Sequence, residues 1–262
     1  MKRNKDVVAG LGEIGFPILQ LISTRFSVVG YDINQKLMDG KPSDKYDNLA
    51  TRFLHICIPF TEKFIPNVLS LYSKFKPESI VIHSTISPGT TYTLQSKLPI
   101  PIIYSAIRGV HKRMLYDLKR YTKFYAIEPN APKEKWASDA YSKFLKRCRV
   151  KTKKMSTPIT LELAKIVVDT SYYGWLINYA QLSNMIAIKH QVDYDEMWSF
   201  ANEIHKFLGN RPKMFPGFIG GHCVIPNLSL INEESLWQID KINNLYAQKV
   251  KDVKSIAKKY IK

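Results

Sequence analysis

Residues 6–32 of the chain read DVVAGLGEIGFPILQLISTRFSVVGYD. An apolar strand over residues 6–9 leads into the glycine pattern G-x-G-x-x-G, and a second strand over residues 26–31 ends at Asp32. Between them, apolar residues recur at the spacing of one helix face: Ile18, Leu19, Leu21 and Ile22. The order strand, glycine turn, helix, strand and acid predicts the first half of a doubly wound α/β domain that binds a dinucleotide.

The residues of the glycine pattern have separate expected roles. Gly10 permits a tight turn, Gly12 lets the backbone approach a pyrophosphate, and Gly15 lets the helix pack closely on the strand. Glu13 and Ile14 stand at the start of the helix, where free backbone N–H groups can meet phosphate oxygens. We therefore expect residues 10–15 to bind the cofactor phosphates.

The acid at the end of the second strand predicts which dinucleotide binds. Asp32 lies 20 residues after Gly12, where a carboxylate can hold the two ribose hydroxyls. Because a 2′-phosphate would be repelled by this carboxylate, the sequence favours NAD over NADP. The alternative is a glycine turn in a domain of this type that has lost its cofactor.

Strands and helices continue to alternate along the first half of the chain. Further strands are predicted over residues 53–58, 79–84, 101–105, 123–127 and 150–155, with helices over residues 63–74 and 133–146. This alternation predicts a mostly parallel Rossmann sheet, whose ligands bind at the carboxyl ends of the strands. Pro59 and Thr85 follow two of these strands, so we expect them on the same sheet edge as Gly10 and Asp32.

The second half of the chain is predicted to be all-helical, which gives a cofactor domain over residues 1–156 and a helical domain over residues 157–262. A long helix over residues 158–190 begins with Pro158 after the capping residue Thr157. It is apolar on most sides, so we expect it to be buried on most sides and to form the core of a homodimer. Four polar residues make a membrane span unexpected: Lys165, Asp169, Asn178 and Asn184. A helix over 193–207, an irregular loop over 210–227 and a final helix over 233–261 complete the prediction.

Composition and charge narrow the class of protein. The 262 residues are 45% hydrophobic and 23% charged, which is typical of a globular chain, and the formal net charge is +17. The excess charge indicates either a solvated lysine-rich surface or an anionic partner. The basic residues are spread along the chain without a nucleic-acid-binding module, so we expect no nucleic-acid partner.

The cysteines and the N-terminus indicate the compartment. Three cysteines, Cys57, Cys148 and Cys223, give neither a disulfide framework nor a zinc pattern, and we expect no metal site. Cys57 and His83 lie within apolar strands and are expected in the core. The N-terminus has no apolar signal core. We therefore expect a cytoplasmic protein in a reducing compartment.

Five segments together resemble one family. GLGEIGFPI, VVGYDIN, HSTISPGTT, ELAK and PGFIGGHC begin at residues 10, 28, 83, 162 and 216. In this order they resemble the UDP-glucose/GDP-mannose dehydrogenase family, and most closely its branch that oxidises UDP-N-acetylhexosamines. The resemblance covers nearly the whole chain. The glycine pattern is common to many families, whereas GGHC downstream of a helix with E-x-x-K is far more specific.

The resemblance implies an NAD-dependent enzyme of polysaccharide biosynthesis. In two oxidations a sugar C6 alcohol becomes a carboxylate, with a cysteine bound to the intermediate. By resemblance Cys223 is the nucleophile and Lys165 stabilises the developing oxyanion. Thr85 would lie beside the nicotinamide and the catalytic water. The substrate would be bound by four residues of the loop: Arg211, Phe215, Gly220 and Gly221. The helical domain would resemble that of 6-phosphogluconate dehydrogenase.

The chain also departs from the family pattern. Asp169 stands where the family has asparagine, and Asn227 stands where an acid helps to activate water. The family's P-E-R reads Ala106-Ile107-Arg108, and the loop before the cysteine has fewer glycines than usual. We still place Asp169 and Asn227 in the catalytic set. The family has a C-terminal UDP-binding domain that we expect this chain to lack, and a separate chain would then supply it.

Two other functions stay open. A two-domain β-hydroxyacid dehydrogenase has the same plan and a catalytic lysine on its long helix, but the GGHC loop argues against it. A non-catalytic nucleotide-binding or assembly protein would keep the fold and lose the chemistry. The altered acids favour this reading, whereas the presence of both Cys223 and Lys165 argues against it.

Overall fold

The computed structural model describes residues 4–38, 46 and 48–250. The chain forms two compact units, Met1–Lys165 and Ile166–Lys262, which we call the N-terminal and C-terminal units. The expected division into functional domains 1–156 and 157–262 remains a prediction, because a compact unit and a functional domain need not end at the same residue.

The N-terminal unit contains one seven-stranded sheet. Its strands are β1 (Asn4–Ala9), β2 (Val28–Tyr31), β3 (Ala50–Ile56), β4 (Ser79–Ile82), β5 (Ile102–Tyr104), β6 (Lys123–Ile127) and β7 (Thr152–Lys154). They lie in the order β2-β1-β3-β4-β5-β6-β7. All neighbours are parallel except β5 and β6, which are antiparallel. The predicted doubly wound sheet is confirmed, with this one reversed pair.

Helices cover both faces of the sheet. They are α1 (Gly15–Ser23), α2 (Phe64–Phe75), α3 (Thr90–Gln95), α4 (Met114–Arg120), α5 (Glu134–Arg147) and α6 (Pro158–Leu163). Side chains of a strand alternate between the two faces, so Phe53 packs in one apolar layer and its neighbour Leu54 in the other. The sequence did not predict α3 and α4, which are too short to show a helical period.

A buried polar cluster interrupts the apolar interior of the N-terminal unit. His55 Nδ1 and His83 Nε2 are 2.9 Å apart, and His83 Nδ1 lies 3.1 Å from the Ser105 carbonyl oxygen. The Lys123 ammonium donates to the carbonyl oxygens of Ser105 and Ala106. As predicted, His83 is a hydrogen-bonded core histidine.

The predicted helix over residues 158–190 is not one regular α-helix. After α6 the chain forms a π-helical segment, Ala164–Ser171, and then α7, Tyr172–Lys189. The segment contains a β-branched run, Ile166-Val167-Val168, and such side chains crowd the preceding turn of an α-helix. At its start the prediction holds, since the Thr157 hydroxyl accepts from the Thr160 N–H at 3.4 Å, with Pro158 in the first turn.

In the single chain much of this helix is exposed, and its expected burial in a homodimer remains a prediction. Large apolar side chains are exposed along it, among them Val168 at 66% and Tyr179 at 64%. The buried face of α7 consists instead of small and amide side chains: Gly174, Asn178, Ala180, Gln181, Asn184 and Ala187. The helix therefore has a polar interior face and an apolar exterior face.

The remaining helices of the C-terminal unit are α8 (Tyr194–Leu208), α9 (Val224–Leu228) and α10 (Glu234–Lys249). The loop predicted over 210–227 is corrected at its end, because α9 begins directly after Cys223. The final helix begins close to its predicted start and ends at Lys249, where Val250 is extended; the predicted helical residues 251–261 lie outside the described residues. Within the described ranges, no helix is long and apolar enough to cross a membrane.

Candidate functional site

The glycine turn between β1 and α1 is built for close approach. Gly10 has φ +88°, and a Cβ there would lie 2.7 Å from the Cys57 carbonyl oxygen. A Cβ on Gly15 would lie 1.7 Å from the Gly10 carbonyl oxygen, so both positions require glycine for packing. A Cβ on Gly12 would meet no atom within 4 Å. The middle glycine therefore borders open space at the helix N-terminus, as a phosphate-binding turn requires.

Asp32 lies against this turn. Its Oδ2 accepts from the Leu11 N–H at 2.7 Å, and its Oδ1 accepts from the Asn34 N–H at 2.8 Å. Leu11 is the residue between Gly10 and Gly12, so the carboxylate is fixed beside the glycine turn. Each carboxylate oxygen can accept a further hydrogen bond, which leaves capacity for two ribose hydroxyls. These residues fit a nicotinamide dinucleotide.

Strand order places the other predicted cofactor residues along the same edge. The Cys57 N–H donates to the Ala9 carbonyl oxygen at 2.8 Å, which holds the segment before Pro59 beside the end of β1. The Ser84 hydroxyl donates to the Ile58 carbonyl oxygen at 2.6 Å, which holds the segment with Thr85 beside the end of β3. The carboxyl ends of β2, β1, β3 and β4 thus bring Asp32, the glycine turn, Pro59 and Thr85 into succession.

A glutamate that the sequence analysis did not single out holds the loop after Thr85. Glu162 on α6 is fully buried, and its Oε2 accepts from the Gly89 N–H at 2.6 Å. Its Oε1 accepts from the N–H of Thr91 at 3.0 Å and from the hydroxyl of Thr91 at 2.6 Å. The signal in the sequence is an acid between two leucines, Leu161 and Leu163, in the ELAK motif that also contains Lys165.

Lys165 lies within electrostatic range of one buried cation of the N-terminal unit, Lys123. Burial, together with the charges of Arg108 and Lys165, lowers the pKa of Lys123 to about 7. This effect requires Lys165 to be within electrostatic range of the Lys123 ammonium. Lys165 itself is half-buried, at the start of the π-helical segment.

In the C-terminal unit, amide and phenol side chains hold the loop that leads to Cys223. The Asn243 side chain accepts from the Ile219 N–H at 2.8 Å and donates to the Ile219 carbonyl oxygen at 3.1 Å. Gln181 donates to the Gly217 carbonyl oxygen at 2.8 Å, and the Tyr246 hydroxyl donates to that of Pro216 at 2.7 Å. The loop is therefore fixed on α7 and α10 up to residue 219.

The loop is fixed again directly after Cys223. Val224 is buried, and a Cβ on Gly174 of α7 would lie 2.7 Å from its Cγ1. Between these two anchors, residues 220–223 are exposed, with Gly221 at φ +79°. Asn227 lies four residues after Cys223 on α9 and is buried. Gly220, Gly221 and Cys223 thus lie on one exposed segment, and Asn227 lies below the surface on the helix that follows.

The three thiols differ in accessibility. Cys223 is exposed, whereas Cys57 and Cys148 are buried. Burial raises the pKa of the Cys57 thiol far above its usual range and that of Cys148 to about 11. Because the thiolate is the nucleophile, the buried pair is unsuited to covalent chemistry. Cys223 is thus the one thiol of the chain that a substrate can reach.

The other predicted residues of the C-terminal unit differ in exposure. Arg211 is exposed, and its guanidinium donates to the neighbouring Asn210 side chain at 2.7 Å. Phe215 is half-buried near Gly217, and Asp169 is half-buried within the π-helical segment. Their substrate and catalytic roles remain predictions. The described residues contain no group of three side chains suited to hold a metal ion.

Sequence comparisons and structure comparisons give different results. No protein-family model matches the chain, and no curated protein matches it. Solved structures do match. UDP-D-ManNAc dehydrogenase from Pyrococcus horikoshii has a TM-score of 0.74 at 17% identity, over 92% of this chain and 68% of its own. UDP-N-acetyl-mannosamine dehydrogenase from Staphylococcus aureus has a TM-score of 0.73 at 21% identity, over 99% and 72% respectively.

A third match belongs to another kind of dehydrogenase. The 3-hydroxyisobutyrate dehydrogenase from Mycobacterium tuberculosis has a TM-score of 0.66 at 13% identity, over 98% of this chain and 99% of its own. At these identities the likeness shows a shared fold. The chain has the fold of these dehydrogenases, a Rossmann sheet followed by helices.

Proposed function

We propose that this protein is an NAD-dependent dehydrogenase that oxidises the C6 alcohol of a nucleotide sugar to a carboxylate. The observation that supports this most strongly is the exposed thiol of Cys223, in a loop fixed on both sides by buried contacts. A dehydrogenase that only oxidises an alcohol has no use for a positioned thiol. The glycine turn with Asp32 supports the cofactor, and the likeness to nucleotide-sugar dehydrogenases supports the substrate class.

Two oxidations proceed at one carbon atom. Bound NAD supplies the hydride acceptor in each, and a fresh NAD is needed for the second. In the first, the alcohol loses a hydride and a proton and becomes an aldehyde. The Cys223 thiolate then adds to the aldehyde carbon to form a thiohemiacetal. This adduct loses the second hydride and a proton and becomes a thioester, and water releases the carboxylic acid and the thiol.

Charged and polar side chains assist these steps. Lys165 stabilises the negative charge that develops on the substrate oxygen. Thr85 orients the attacking water beside the nicotinamide position. Asp169 and Asn227 are the remaining polar residues of the proposed catalytic set. Relative to the family pattern, Asp169 replaces an amide and Asn227 replaces an acid. Arg211, Phe215, Gly220 and Gly221 bind the substrate.

A homodimer is part of the proposal, because the C-terminal unit exposes two apolar faces. One lies on the π-helical segment and α7. The other is a stripe on α8 at helical spacing, with Phe200 exposed at 85% and Phe207 at 84%. The stripe comprises Met197, Phe200, Ile204, Phe207 and Leu208. A second copy of the chain would cover both faces.

A second candidate is a two-domain β-hydroxyacid dehydrogenase. The observation in its favour is the match that extends over 99% of the hydroxyisobutyrate dehydrogenase and 98% of this chain. Lys165 would then act as the single catalytic cation, and Cys223 would be dispensable. Activity with a 3-hydroxyacid and none with nucleotide sugars would favour this candidate. Activity with neither would favour a non-catalytic nucleotide-binding protein.

The proposal is tested by cofactor binding and by a substrate screen. Calorimetry should give tighter binding of NAD than of NADP, because Asp32 repels a 2′-phosphate. An Asp32→Asn variant should reduce the preference for NAD over NADP. Asp117 is a buried acid elsewhere in the N-terminal unit, and Asp117→Asn should leave the preference unchanged. UDP- and GDP-sugars should then be screened for NADH formation, also with a separately supplied sugar-binding domain. Equal affinity for NAD and NADP would contradict the role proposed for Asp32. No NADH formation with any nucleotide sugar would contradict the proposed function.

A further inference from the structure

Glu162 is a buried carboxylate whose contacts connect two parts of the proposed active site. It has no exposed surface and accepts three hydrogen bonds, from the N–H of Gly89 and from the N–H and hydroxyl of Thr91. Gly89 ends the loop that begins at Thr85, and Thr91 lies in the first turn of α3, which follows that loop. Glu162 lies near the end of α6, three residues before Lys165 at the start of the π-helical segment.

A buried charge of this kind is costly unless its hydrogen bonds are satisfied. Here the donors come from residues more than 70 positions away in the chain, at sequence separations of 73 and 71. The bonds therefore do not serve α6 itself, whose first turn is capped by Thr157. They attach the segment after β4 to α6, which leads directly into the π-helical segment that carries Lys165.

We propose that Glu162 is a positioning residue that keeps Thr85 and Lys165 in fixed register. This inference rests on the proposed function, in which Lys165 acts on the substrate oxygen and Thr85 on the water that attacks the neighbouring carbon. Glu162 itself does not touch substrate or cofactor. A misplacement of about 1 Å between reacting groups can lower a rate about 100-fold. Three hydrogen bonds to one rigid carboxylate provide the required constraint.

A purely structural role must be separated from this one, and the chain offers a matched control. Asp6 in β1 is also buried and also accepts three hydrogen bonds. They come from the Phe53 N–H at 3.2 Å and from the Arg52 guanidinium at 3.1 and 2.6 Å. Asp6 begins the part of β1 that runs towards the glycine turn, so it lies away from the carboxyl ends of the strands.

The experiment compares Glu162→Gln with Asp6→Asn. The glutamine amide places an NH2 against an N–H donor, so at least one of the three bonds is lost. Both variants should melt at a lower temperature than the wild type. Only Glu162→Gln should lower kcat for NADH formation, by about 10- to 100-fold. Its NAD dissociation constant and its KM for sugar should stay within about twofold of wild type, because the glycine turn is untouched.

A milder variant keeps the test decisive if Glu162→Gln does not fold. Thr91→Val removes the hydroxyl donor and leaves both N–H donors and the carboxylate in place. It should lower kcat several-fold with unchanged NAD affinity. Wild-type kcat in a folded Glu162→Gln or Thr91→Val protein would overturn the inference, as would an equal loss of kcat in Asp6→Asn. A wild type that forms no NADH would instead overturn the proposed function on which the inference rests.

Discussion

The two units of the chain differ in the kinds of side chain that they bury. In the N-terminal unit, apolar side chains fill both faces of the sheet, and the buried polar side chains include titratable groups such as His55 and Lys123. In the C-terminal unit, the interior face of α7 is occupied by amides such as Gln181, while its large apolar side chains point outward. The interior of the N-terminal unit is thus formed by two apolar layers, whereas that of the C-terminal unit combines smaller apolar clusters with a hydrogen-bonded amide network that also fixes the Cys223 loop.

The largest expected effect is on this amide network. Asn243→Leu removes the partners of the Ile219 N–H and carbonyl and of the Gln181 amide. Unsatisfied buried groups cost about 1–3 kcal/mol each, so we expect a loss of roughly 4 kcal/mol in the free energy of unfolding. Ile239→Val, an apolar change on the same helix, should cost about 1 kcal/mol.

Urea denaturation at one fixed protein concentration measures both variants. Equal losses in Asn243→Leu and Ile239→Val would show that the helical unit depends on apolar packing after all. The reactivity of Cys223 towards a thiol reagent should rise in Asn243→Leu alone, because the loop loses its anchor at Ile219.

A second difference between the units is their response to pH. The amides of the C-terminal unit do not titrate, whereas burial lowers the pKa of Lys123 from 10.5 to about 7. Between these values the unfolded chain holds a proton that the folded chain releases, so the free energy of unfolding rises with pH. At pH below about 7 both states are protonated, and the full cost of the buried charge is present.

Lys123→Met should therefore flatten the pH dependence of stability between about pH 7 and 8.5. The slope lost is at most about 1.4 kcal/mol per pH unit. Above this range the buried thiol of Cys57, whose pKa is raised by burial, acts in the opposite direction. Lys97→Met, at an exposed position, should leave the slope unchanged. If the free energy of unfolding changes with pH in the same way for wild type and Lys123→Met, the lowered pKa of Lys123 is contradicted.

The smallest expected effect on the folded protomer comes from its exposed apolar stripe. Phe200→Glu with Phe207→Glu should leave the stability of the protomer nearly unchanged, because neither side chain is buried in it. The mass by light scattering should fall from about twice 30.2 kDa to a single 30.2 kDa chain. Tyr116→Glu, an exposed aromatic on the N-terminal unit, should leave the mass unchanged. A wild-type protein that is monomeric at micromolar concentration would contradict the proposed homodimer.

The same contrast explains how far the sequence could predict the structure. The strands of the N-terminal unit follow local rules of apolar patterning, and Lys123–Ile127 has its predicted bounds. Glycine spacing and the acid at position 32 likewise predict the turn and its carboxylate neighbour. These features depend on residues close together in the chain, so a sequence is enough to recognise them.

Other features depend on partners far apart in the chain. Gln181 and Asn243 are 62 residues apart, and nothing local indicates that their amides meet inside the unit. Apolar side chains on α7 predicted a buried helix, since no pattern within one chain distinguishes a core face from a face left outside. Glu162 was missed for the same reason, because its donors lie in a loop more than 70 residues earlier.

The central claim is that the exposed Cys223 thiol performs the second oxidation. Its most direct test is the NADH formed per nucleotide sugar consumed, with the product identified by mass, in wild type, Cys223→Ser and Cys148→Ser. We predict that wild type and Cys148→Ser form about two NADH for each carboxylate, whereas Cys223→Ser forms aldehyde with about one NADH and no acid. Acid formation by Cys223→Ser at the wild-type ratio would contradict the account.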